Sequence, residues 1–148
     1  MADLRHDHLA MLDERFQTLL QDASPAVLTT YRRDGSAATS PVWFREDAGA
    51  LEVVIAHDDV KLTHLARRPH CTLTVFEAAP PFRGIQIDGV PELHAGDVTN
   101  ARREIARRYL GAEDGARFAA QRDSNGTRVR LPLEAARVWD LSAILPRG

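Results

Sequence analysis

Val53-Val54-Ile55-Ala56-His57-Asp58-Asp59-Val60-Lys61-Leu62-Thr63-His64-Leu65-Ala66-Arg67-Arg68-Pro69 reads as a buried strand that breaks at His57 and runs straight into a short helix stopped by a proline. Asp58 or Asp59 fits the N-cap, because a carboxylate there accepts the orphan N–H groups of the first turn. Lys61 then falls in that turn, where the positive end of the helix dipole disfavours a cation. Amide donors and an ammonium group in one place make a seat for a phosphate. Lys61 is also the only lysine in the chain; every other basic side chain of this type is arginine. A solvated surface lysine is the plain alternative reading.

Working outward toward the N-terminus, Leu51 to Ala56 is the strand that feeds this helix, preceded by an Ala48-Gly49 turn. Ala37 to Arg45 reads as another strand, and Pro41 inside it argues for an edge position or a bulge. Asp34-Gly35 is a strong hairpin signal and joins it to a strand over Ala26 to Tyr31. Three strands therefore meander into the Lys61 helix. Before them, Leu9, Leu12, Phe16, Leu19 and Leu20 recur at three- and four-residue steps, which predicts an amphipathic helix over His8 to Gln21.

Toward the C-terminus, His70 to Ala78 reads as a strand, Pro80 to Gly84 as a rigid loop, and Ile85 to Val90 as a strand carried on through Pro91-Glu92-Leu93. A helix opens at Asp97 with Val98, Ala101, Ile105 and Tyr109 on one side and ends at Gly111. A second, Ala112 to Gln121, follows. Thr127 to Pro132 and Arg137 to Asp140 are the last strands. These seven strand segments, with few helices, predict a mainly β barrel of about six antiparallel strands with flanking helices, since closure removes exposed sheet edges. Helices do not alternate with strands as a doubly wound parallel sheet requires. The chain reads as one domain over residues 1–148.

A formal net charge of −2 gives no overall basic field for nucleic acid. A lone cysteine, Cys71, excludes an internal disulfide framework and fits a reducing interior; in its apolar strand it reads as inert core. The N-terminus carries no apolar signal core, and no run is long enough to span a bilayer. The expectation is a soluble cytoplasmic protein without nucleic-acid or membrane partners.

His57, His64 and His70 lack the spacing of a zinc site. No nucleophile elbow, P-loop or dinucleotide glycine loop is present. What remains is a set of strand residues able to line a flat ligand: Thr29, Thr30, Ser40, Val42, Trp43, Ala56 and His57. Trp43 either covers an aromatic face or is simply core.

Taken together, Ala26-Val27-Leu28-Thr29-Thr30, Asp34-Gly35, Thr39-Ser40-Pro41-Val42-Trp43-Phe44, Val60 to Pro69, Pro81-Phe82-Arg83-Gly84-Ile85-Gln86-Ile87-Asp88-Gly89 and Arg137-Val138-Trp139-Asp140 form a familiar order. The sequence resembles the flavin/deazaflavin oxidoreductases of the pyridoxamine 5′-phosphate oxidase-like split β-barrel superfamily, and within it the coenzyme F420 branch. The resemblance implies a six-stranded split barrel of the FMN-binding type. It implies a homodimer with cofactor sites at the interface. The ring would lie against the Ser40–Trp43 strand and the phosphate near Lys61. Cofactor-binding residues would be Thr30, Ser40, Pro41, Val42, Trp43, Ala56, His57 and Lys61, with the partner contributing residues around Arg83 and Trp139. The implied activity is hydride transfer between coenzyme F420 and a small unsaturated substrate, with no side chain as an obligatory acid. Alternatives are an FMN oxidoreductase, or a non-catalytic binder of F420, flavin or haem, the last through His57 or His64. Determinants for pyridoxamine phosphate itself are not recognisable. Two carboxylates, Asp58 and Asp59, precede Lys61 and repel a phosphate unless they cap the helix or point away.

Overall fold

A computed structural model describes residues 14–148. The expected first helix is seen from Glu14; the Leu9 and Leu12 part of its stripe, with His6 and His8, lies outside the described residues. In chain order the elements are α1 (Glu14–Gln21), β1 (Ala26–Tyr31), β2 (Ala37–Val42), β3 (Arg45–Asp47), β4 (Ala50–Ala56), α2 (Val60–Arg67), β5 (Cys71–Phe76), β6 (Gly84–Gly89), β7 (Glu92–Asp97), α3 (Thr99–Leu110), α4 (Ala112–Ala120), β8 (Asn125–Pro132) and β9 (Ala136–Trp139). Short 3-10 turns at Leu133–Ala135 and Ser142–Ile144 complete the chain.

The strands form two antiparallel sheets, one ordered β2-β1-β5-β6-β9 and the other β3-β4-β8-β7. The mainly β class with flanking helices is as expected. The count is corrected: nine strands in two sheets among the described residues, where six were expected. Two of the seven segments read from the sequence are each split at a corner where the chain leaves one sheet for the other. Ala37 to Arg45 is two strands, because Trp43-Phe44 turns the chain and Phe44 is drawn into the core with 0 % exposure. Gly89 ends β6, and beyond Val90-Pro91 the chain pairs with β8 in the second sheet. Proline has no N–H to continue the ladder. The expected three-strand meander is likewise corrected, since β4 pairs with β3 and β8 and not with β2.

Between the sheets lies one shared core. Leu28, Leu73, Val75, Ile85 and Ile87 come from the first sheet, and Leu51, Val53, Ile55, Val129 and Leu131 from the second. Their alternation along each strand gives each sheet one apolar face. Phe16, Leu19 and Leu20 of α1 and Leu65 of α2 close the core. Cys71 is buried in it as expected, and burial pushes its thiol up to about 12, so it is an inert packing group.

On the other face of β4, Glu52 stands across from Arg45 on one side and Arg130 on the other. Its carboxylate is 0 % exposed. It takes Arg45 Nε at 2.9 Å, Arg128 Nη1 at 3.0 Å and Arg130 Nη1. Burial alone would raise this carboxyl, but the hydrogen bonds from Arg130 and Arg45 outweigh it and hold it below the usual range. Further along that face, Val54 and Ala56 open into a groove.

Candidate functional site

The groove forms at the Trp43-Phe44 corner, where the end of β2 meets the outer face of β4 and the helices α3 and α4 lean over both. Two adjoining cavities share Pro41, Val42, Trp43 and Phe118. One, of about 280 Å³, adds Val54, Ala56, Asp59, Lys61, Arg102, Ile105 and Arg122. The other, of about 570 Å³, adds Ala26, Val27, Pro25, Phe76 and Tyr109 and is apolar. Together they have the size and the mixture of apolar wall and few polar groups that suit a ring system with a charged tail.

Five of the eight sequence-predicted residues meet here: Pro41, Val42, Trp43, Ala56 and Lys61. That Ala56 joins Val42 across a change of sheet is a consequence of the corner, not of neighbouring strands. Pro41 sits in β2, an edge strand, opposite Val27. Ser40, also in β2, pairs with Leu28 of β1, is half-buried and does not line the groove. Thr30 lies beneath α2, fully buried, with its hydroxyl 2.9 Å from His64 Nδ1. His57 stands at the end of β4, half exposed, 4.0 Å from the Asp123 carboxylate. Neither Thr30 nor His57 contributes to the lining.

Trp43 is packed against two aromatic rings and also lines both cavities. One ring face is stacked on Tyr109, with centroids 5.1 Å apart and 10° between planes. Phe118 meets it at 5.0 Å and 45°. The remaining surface of the indole forms the partition between the two cavities. Tyr109 is itself fixed, donating to the Ser24 carbonyl at 3.0 Å.

Asp59 is the N-cap of α2, accepting from the Lys61 backbone N–H at 2.9 Å. Its other oxygen takes Lys61 Nζ at 3.0 Å. Burial opposes ionisation of this carboxyl, yet the two bonds from Lys61 prevail and keep it below the usual carboxylate range. Lys61 is therefore in the groove with its ammonium already paired, 18 % exposed at the side chain.

Sequence reasoning missed Arg102 and Arg122. Arg102 is 7 % exposed and gives Nη1 to the Asp123 carbonyl at 2.6 Å. A signal for it existed: Arg102 falls on the buried stripe of α3, between Ala101 and Ile105, a position where an apolar residue is the rule. Arg122 lies over the Phe118 ring, 3.3 Å from its centroid.

The two regions expected to reach a partner are engaged within the chain. Arg83 grips Glu77 through Nε at 2.7 Å and Nη2 at 2.8 Å, and Thr18 Oγ1 at 2.8 Å through Nη1. Trp139 lies flat against Gly84, opposite it in β9. No group of three or more metal-ligating side chains occurs among the described residues, and none of their helices is long and apolar enough to cross a membrane.

Two antiparallel sheets around one core, with helices over a groove at a sheet corner, define a split-barrel protein. The sequence model described as pyridoxamine 5′-phosphate oxidase matches residues 12–142, and the chain belongs to that family. No curated protein sequence matches it. Among solved structures, a conserved hypothetical protein from Mycobacterium tuberculosis superposes with a TM-score of 0.73 at 19% identity, covering 93% of this chain and 91% of the other. An F420 reductase gives 0.66 at 21% identity, covering 85% and 98%. The haem storage protein of Vibrio cholerae gives 0.66 at 16% identity, covering 86% and 94%. At these identities the likeness is one of fold, and relatives with quite different ligands share it.

Proposed function

We propose that the chain is an F420-dependent oxidoreductase acting on a small unsaturated organic substrate, and that it works as a homodimer with the groove at the subunit interface. The observation that carries this reading is the groove itself, whose apolar and aromatic half meets its cationic half at Trp43. A planar ring with a phosphate tail matches that division. The nearly buried guanidinium of Arg102, which forms no ion pair among the described residues, fits an anionic group better than an apolar one.

When bound, a deazaflavin supplies hydride transfer at its ring. The chain's contribution is to bind, orient and exclude water. Pro41 and Val42 offer a backbone edge, and Pro41 has no N–H there. Trp43, held by Tyr109 and Phe118, gives the ring a rigid wall. Lys61 and the first turn of α2 border the polar end. Among the described residues no Asp or Glu lines the aromatic half, and in this reading solvent supplies any proton the substrate needs.

A second reading keeps the same groove and takes FMN. The family match favours it, since pyridoxamine 5′-phosphate oxidases typically bind FMN. Side-by-side titration of the purified protein with coenzyme F420, FMN and haem tests the proposal. Saturable F420 binding with FMN weaker is the expected result. Preferred FMN binding moves the assignment to the second reading. A Soret-shifted haem complex without ring-cofactor binding overturns both.

A further inference from the structure

We infer that Arg102 and Arg122, and not Lys61, form the principal anion seat of the groove, and that they take the phosphate of the bound ring compound. The inference rests on the proposed binding of a phosphate-bearing ring, and it names the residues that recognise the tail.

Four charged side chains line this end: Asp59, Lys61, Arg102 and Arg122. Asp59 and Lys61 are paired at 3.0 Å and cancel. The two guanidiniums that remain form no ion pair among the described residues. Arg102 has one protein partner, a backbone carbonyl, which does not neutralise it. The Asp123 carboxylate acts on Arg102 through space without forming an ion pair with it: one oxygen accepts from the Asn125 N–H at 2.9 Å, and the other lies 4.0 Å from His57 Nδ1. Arg122 gives Nη1 to the Phe118 carbonyl at 3.0 Å and rests on that residue's ring.

Burying a guanidinium without a directly paired counter-charge is costly, and a second one beside it adds repulsion. Desolvation and the nearby Arg122 push the Arg102 group down from its ordinary range, and the Asp123 carboxylate offsets them only in part. An oxyanion between the two removes both penalties. Arginine's planar fork suits it, since two parallel N–H donors match two phosphate oxygens. The stack of Arg122 on Phe118, which itself touches Trp43, ties this seat to the wall offered to the ring. Phosphate and ring would thus be read by one connected set of side chains.

Isothermal calorimetry on wild type, Arg102→Lys, Arg122→Gln and Lys61→Gln separates the possibilities. Ligands are FMN with riboflavin, coenzyme F420 with its dephosphorylated deazaflavin core, and inorganic phosphate. The F420 and FMN arms distinguish a diester from a monoester source. The expected result is that Arg122→Gln weakens the phosphorylated ring compound by about tenfold and leaves its dephosphorylated partner unchanged. Lys61→Gln should have the smaller effect. Arg122 is exposed, so its variant does not challenge folding, and Arg102→Lys keeps charge while losing the fork. If the preference for the phosphorylated form survives both arginine variants and disappears in Lys61→Gln, the inference is overturned and the ring-binding reading stands. If wild type binds none of the rings but binds inorganic phosphate in an Arg122-dependent way, the anion seat stands and the ring reading fails. If wild type binds neither, both fail.

Discussion

Asp59 holds Lys61 twice, taking its backbone N–H at 2.9 Å and its ammonium at 3.0 Å. One carboxylate thereby starts a helix and occupies the charge that the sequence marks as a phosphate ligand. The two functions separate on substitution. Asparagine at an N-cap still accepts the backbone N–H, so Asp59→Asn keeps the helix and frees the ammonium. Its affinity for FMN, coenzyme F420 or inorganic phosphate should rise by up to about tenfold. Asp59→Ala frees the ammonium too but loses the cap, at a cost of about 1 kcal/mol in urea denaturation. Equal or weaker anion binding by Asp59→Asn contradicts the pairing as a brake on affinity.

Glu52 gives the fold an acid limit. Its carboxyl is held below its ordinary value of 4.5, so the folded state binds this proton less readily than the unfolded chain. The stability it contributes is complete above that value and is lost as pH falls through the lower folded one. Denaturant midpoints should therefore be flat down to about pH 5 and drop below it. Glu52→Gln should lower stability at neutral pH by about 2–4 kcal/mol, since it takes the paired carboxylate from Arg45 and Arg128 while Arg130 keeps Asp47. It should also flatten the acid-side slope. An unaltered slope in that variant would place the acid limit elsewhere.

Thr30 and His64 form a buried pair beneath α2. Removing the hydroxyl in Thr30→Val strands a polar ring nitrogen and should cost about 1–2 kcal/mol of stability. Affinity for the ring compounds should stay within about twofold, because the site is independent of the groove. A large loss of affinity at preserved stability would return Thr30 to the binding set.

Gly84 carries the indole of Trp139 against its backbone: a Cβ there would lie 2.0 Å from the Trp139 ring. Gly84→Ala should destabilise by about 1–3 kcal/mol through overpacking. In a Trp139→Ala background the same change should be close to neutral, a coupling read directly from a double-mutant cycle.

The local devices were legible because each is a short-range preference. Asp34-Gly35 makes its turn, with Asp34 accepting from Ser36 N–H at 2.9 Å and Gly35 at φ +88°. Asp59 caps α2, and Pro41 is on an edge strand. The sheet changes were not legible. Trp43-Phe44 continues a run of good strand formers, and only packing shows that Phe44 is needed in the core while Trp43 faces out. The same blindness put β4 beside β2. It also placed Ser40 and Thr30 with Val42: the three belong to one face of the sheet, but only Val42, at the end of β2 beside the corner, reaches the groove, while Thr30 lies under α2. Arg102 was hidden by its type: an arginine on a helix reads as solvated until its neighbours Ala101 and Ile105 are seen to be buried.

The central claim is that a phosphate-bearing ring compound sits against Pro41, Val42 and Trp43. The chain has two tryptophans, so Trp139→Phe leaves Trp43 as the sole indole emitter. Titration of that variant with coenzyme F420 should quench Trp43 emission in a saturable way, with a midpoint equal to the calorimetric one. Full calorimetric binding with Trp43 emission unchanged would put the ligand elsewhere on the molecule and contradict the account.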